Sequence, residues 1–139
     1  MTVKLSSVRA NLEVEAKGEW IDYPELPGVS FMVSSLHAPA YKLARDNLLQ
    51  RLTRQYKGKP VPESVLVPET AKLYCKHILH GWKGFDEDYT PEKALETLSD
   101  PGFRKVIEAV EWCASRVGER DIEFEEKTAK NSEAPSRGE

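Results

Sequence analysis

Asp100-Pro101-Gly102-Phe103-Arg104-Lys105-Val106-Ile107-Glu108-Ala109-Val110-Glu111-Trp112-Cys113-Ala114-Ser115-Arg116-Val117-Gly118 is the stretch that decides the fold class. Phe103, Ile107, Val110, Ala114 and Val117 recur at i, i+4, i+7, i+11 and i+14, so an α-helix gathers them into one apolar stripe. Asp100 offers a capping oxygen, Pro101 stands where its missing N–H costs nothing, and Gly118 closes the helix. The stripe makes Phe103, Ile107, Val110 and Ala114 the expected centre of the core.

Working outward, Thr90-Pro91-Glu92 is a second start signal: a capping hydroxyl, a proline at the first helical position and a carboxylate facing the macrodipole. Upstream, a helix is expected from about Pro68 to His80, with Ala71, Tyr74, Cys75, Ile78 and Leu79 inward and Gly81 as a left-handed C′ residue. Val61 to Val67 precedes it as a connector. Pro39 opens a further helix, on which Tyr41, Ala44, Leu48 and Leu52 form the apolar stripe until Gly58 and Pro60 end it. Near the amino end, two short strand-forming segments, Glu19 to Tyr23 and Val29 to Val33, flank a loop with Pro24, Pro27 and Gly28. They predict a β-hairpin, which must lean on the helices to be stable. The fold class expected is mainly α (α+β), about four helices with an amino-terminal hairpin. Residues 1–118 form the expected single domain, and 119–139, with little apolar besides Ile122 and Phe124, a charged flexible tail.

The chain has 139 residues, 40% hydrophobic and 31% charged, enough for one modest core. No apolar run approaches the roughly 20 residues that span a bilayer, and Met1 to Ala10 lacks the apolar centre of a secretory signal. Cys75 and Cys113 stand far apart, which suits two thiols in a reducing cytoplasm better than a disulfide. The net charge of −3 argues against nucleic acid as the main partner. Its distribution is uneven: residues 41–60 carry +5, and every other part of the chain is acidic.

Motifs for chemistry are scarce. Cys75, His77 and His80 lie close in sequence, but on a helix Cys75 points away from His77 and no fourth ligand suggests itself, so no metal site is expected. Asp86-Glu87-Asp88 lacks the spacing of a calcium loop. No nucleophile elbow, Cys/His signature or phosphate-cradling glycine loop is present, so neither catalysis, nor a cofactor, nor a small-molecule substrate is expected. The basic stretch is the candidate surface. Arg45, Arg51, Arg54 and Lys57, with Lys42 and Lys59, are either a patch for an acidic protein or nucleic acid, or an ordinary solvated helix face.

From Ile78 to Ala114 the chain reads Ile-Leu-His-Gly-Trp-Lys-Gly-Phe, an acidic loop, Tyr-Thr-Pro-Glu-Lys-Ala-Leu-Glu-Thr-Leu, then Asp-Pro-Gly-Phe-Arg-Lys-Val-Ile. This punctuation, with the hairpin from Trp20 to Val33, resembles the tail assembly chaperones of long-tailed bacteriophages. The resemblance runs from about Trp20 to Val117. It implies a non-enzymatic helper that coats the tape-measure protein, helps recruit tail-tube subunits and leaves before the virion matures. A basic helix beside acidic segments adds the expectation of a weak homo-oligomer, and the bare thiols that of the host cytoplasm. The resemblance also implies a second, longer product made by a ribosomal slip, for which Ala129-Lys130-Asn131 can carry the slippery codons. The family supplies no catalytic residues to carry over. Other classes compatible with the residues are a nucleic-acid-binding accessory protein using the helix at 41–59, and a small tail or connector subunit.

Overall fold

A computed structural model describes residues 1–119 together with 124–125. In chain order the elements are β1 (Thr2–Val3), α1 (Leu12–Lys17), β2 (Glu19–Asp22), β3 (Ser30–Val33), α2 (Pro39–Gln55), α3 (Glu63–His77), β4 (Leu79–Lys83), α4 (Pro91–Leu98), α5 (Arg104–Arg116) and β5 (Phe124–Glu125). Single 3-10 turns occur at Leu5–Val8 and Pro101–Phe103. The fold is mainly α with a small antiparallel sheet. The chain divides into two compact units, Leu12–Gly118 and Met1–Asn11 with Glu119–Glu139. In the smaller unit β1 and β5 pair antiparallel, Val3 opposite Phe124. The expected flexible tail lies outside the described residues apart from Glu119 and β5, as does Ala129-Lys130-Asn131.

Within the larger unit the hairpin forms where expected, with Trp20 opposite Met32 and Ile21 opposite Phe31. Its loop is tied at the base by Tyr23 N–H to Val29 O, 3.0 Å. Phe31 and Val33 are fully buried while Ser30 and Met32 are half-buried, the period-two pattern of a strand with one face on the core. β3 is the central strand, because β4 pairs on its other edge with Phe31 opposite Trp82 and Met32 opposite Gly81.

β4 corrects the expected helix end at His80. Gly81 lies in a strand without the positive φ of a C′ residue. Its role is steric: a Cβ there would come within 3.3 Å of the Trp20 ring and 3.5 Å of Met32 Cβ. α3 also begins earlier than Pro68. The Val65 and Leu66 N–H groups both bond to Pro62 O at 3.0 and 2.9 Å, so the first turn is built on Pro62 and Pro68 falls inside the helix.

α4 and the turn before α5 start as their sequences dictate. Thr90 Oγ1 accepts the Lys93 N–H at 3.0 Å, and Asp100 Oδ1 accepts that of Gly102 at 2.8 Å. α5 then packs on β2, β3 and α4. Val106, Ala109, Val110, Cys113 and Ala114 form its buried face, followed by Val117 beyond its end. Phe103 does not join them: it is 47% exposed, and Ile107 is only partly buried. The cause is the 3-10 turn at Pro101–Phe103, with three residues per turn, which puts Phe103 out of phase with the α-helix that follows.

Candidate functional site

α2 is the longest helix, yet among its residues only Tyr41 and Leu52 are buried. Its neighbour is α3, and an open groove of about 530 Å³ runs between them. Ala44 and Leu48 from α2 and Leu73 from α3 supply its apolar surface, and Arg51, Arg54, Lys72 and Lys76 surround it. Glu69 lies in the same groove, 2.9 Å from Arg51 and 3.8 Å from Lys72. Arg51 is half exposed, so its pair with Glu69 contributes about 0–1 kcal/mol to stability and leaves the guanidinium reachable.

The four cations singled out from sequence are not brought together. Arg51 and Arg54 are about 60° apart around α2 and both line the groove, whereas Arg45 is turned about 120° and 180° from them. Arg45 instead pairs with the adjacent Asp46 at 3.2 Å and lies 5.9 Å from the centre of the Tyr41 ring. Lys57 stands past the end of α2 at a left-handed φ of 52° and does not line the groove. Two cations that the sequence reading did not include, Lys72 and Lys76, enter from α3. Their i, i+4 spacing on the helix was a legible signal, but only packing shows that they face Arg51 and Arg54.

Cys75 and His77 lie on α3, and His80 projects from β4. Among the described residues no group of three or more His, Cys, Asp or Glu is arranged to hold a metal ion. His80 Nε2 is 2.8 Å from Ser34 Oγ, and that hydroxyl also reaches the Ala16 carbonyl at 3.3 Å. The Ser34 hydroxyl donates to Ala16 O, and the His80 tautomer sets which atom donates in its contact with Ser34. The serine thereby bridges α1 and β4. Burial holds the His80 imidazole below its usual pKa, and the charge of His77 adds to this. Cys75 and Cys113 are both free thiols. Burial, and then the charge of Asp22, push Cys113 up to about 11, so it is no activated thiolate.

No helix among the described residues is long and apolar enough to cross a membrane. No curated protein and no solved structure matches the chain. The profile of the YdaY prophage protein family matches residues 36–131, a span that takes in α2, α3, β4, α4 and α5. That match covers more than half of the chain, and the protein belongs to the YdaY prophage protein family and is of phage origin.

Proposed function

We propose that this protein is a non-enzymatic phage tail assembly chaperone, which binds the tape-measure protein in the host cytoplasm, helps recruit tail-tube subunits and is absent from the mature virion. The observation that carries the proposal is the α2–α3 groove, lined by Ala44, Leu48 and Leu73 together with four cations and the Glu69 carboxylate. Such a groove suits an amphipathic helix with acidic flanks, the kind of segment a long helical client can offer repeatedly. Weak self-association would add avidity along such a client without new contacts. The net charge of −3 weighs against a phosphate backbone as the main partner. No cofactor or small-molecule substrate enters this scheme.

Co-expression with the tape-measure protein of the same prophage tests it. The client is expected to stay soluble and to co-purify. Arg51→Glu with Arg54→Glu should weaken capture at least about tenfold, roughly 1.4 kcal/mol. Arg45→Glu, on another side of α2, should leave capture unchanged. Full solubilisation by the double variant removes the groove from the mechanism. Tight DNA binding that falls steeply with salt favours the nucleic-acid accessory instead, and the chain's presence in purified virions favours a structural tail or connector subunit.

A further inference from the structure

A second concavity, of about 300 Å³, lies where β4, the loop after it, α4 and the start of α5 meet. Trp82, Phe85, Phe103 and Val106 give it an apolar wall. Trp82 is held in place by its indole N–H, which donates to Glu87 O at 2.9 Å, and by an edge-to-face contact with Phe85 at 5.6 Å. The rim has the opposite character. Asp86, Glu87, Glu96 and Asp100 stand there against one cation, Lys93, for a net charge of −3. Lys93 is engaged by Glu87 at 2.7 Å and Glu96 at 3.6 Å, while Asp86 has no ion-pair partner among the described residues. Phe103, displaced from the core by the 3-10 turn, leaves nearly half its surface to solvent here.

We propose that this concavity is a docking site for an arginine-bearing basic segment of a second partner protein. The charge of the rim selects a cation. The aromatic wall selects one that is flat and weakly hydrated. A guanidinium stacks on aromatic rings and forks onto carboxylates, whereas an ammonium is a compact, strongly hydrated charge. A volume of about 300 Å³ accommodates a side chain and not a folded element. The concavity shares no lining residue with the α2–α3 groove, so the two sites can be filled at once. The protein then acts as an adaptor, holding an acidic segment in one place and a basic one in the other. This goes beyond the chaperone reading and stands whether or not the groove holds a tape-measure segment.

The test is calorimetric titration of the full chain with a capped peptide of glycine, arginine, leucine and arginine, beside the same peptide with lysine in place of arginine. The arginine peptide is expected to bind, and the lysine peptide to bind several-fold more weakly. Asp86→Asn with Glu96→Gln, two exposed neutralisations, should weaken the arginine peptide at least about tenfold. Phe103→Ala should weaken it as well, and Arg51→Glu with Arg54→Glu should have no effect. Equal affinity for the two peptides, binding that survives the double neutralisation, or no binding at millimolar peptide each overturns the proposal.

Discussion

α5 and α2 are both amphipathic by sequence, but they meet the rest of the protein differently. α5, with 13 residues, buries five of them against the sheet and α4. α2, with 17 residues, buries two, Tyr41 near its start and Leu52 near its end, and leaves Leu43 and Leu49 at least half exposed. Packing therefore dictates the residues of α5, where even a methylene is felt. On α2 the two anchors hold the helix while the flank between them is open to the groove. A helix attached at two points has most of its surface free for another protein. α2 sets Lys42, Arg45, Arg51 and Arg54 against one carboxylate, Asp46, whereas α5 balances Arg104, Lys105 and Arg116 with Glu108 and Glu111.

The sharpest way to break this contrast is Val110→Asp. Val110 is fully buried, so the new carboxylate has neither water nor a partner, and the cost should exceed about 4 kcal/mol. Urea unfolding should show most of the stability gone. A near-normal midpoint would mean that α5 is not the core helix. A graded test follows on α2. Leu52→Ala should cost about 2–5 kcal/mol, whereas Leu43→Ala, at a site 64% exposed, should stay within about 0.5 kcal/mol of the parent. If the two leucines cost alike in thermal melts, the outer face of α2 is covered by another copy and the contrast fails.

The smallest expected effect separates the two helices by pH. His80 lies in a hollow with the first residues of α2, and Lys17, Lys76 and His77 line the same hollow. Burial there disfavours the charged imidazole, and the charge of His77 adds to this. The His80 pKa is lowered in the folded chain from the ordinary value of about 6.5, so the unfolded chain takes the proton more readily. The stability contributed by its neutral form is whole above about pH 6.5 and is lost as pH falls from there through the folded value. Hydrogen-exchange protection factors at pH 5 should therefore fall in α2 before α5, and His80→Gln should blunt the difference. Equal loss of protection in both helices would show that acid acts on the whole unit rather than on the α2 side.

The sequence by itself determined the features whose physics is local. Pro39, Thr90-Pro91 and Asp100-Pro101 mark real beginnings, because a cap or a first-turn proline acts on backbone groups within three or four residues. The hairpin around Pro24 and Gly28 was legible for the same reason. Only tertiary structure decided the rest. Leu79 continues the helical spacing of Ala71, Tyr74, Cys75 and Ile78, yet residues 79–83 become a strand because the free edge of β3 is there to pair with and Trp20 needs a glycine beneath it. Phe103 continues a helical stripe on paper, but one tighter turn rotates it out to solvent, and a period counted along a chain cannot register a change of pitch. The candidate site divides in the same way. The basic character of α2 is written in residues 41–59, but the groove exists only because Lys72 and Lys76 come from another helix and Arg45 turns away. Which charges share a concavity is a property of the packing of α2 on α3, set by long-range contacts that no local stretch contains.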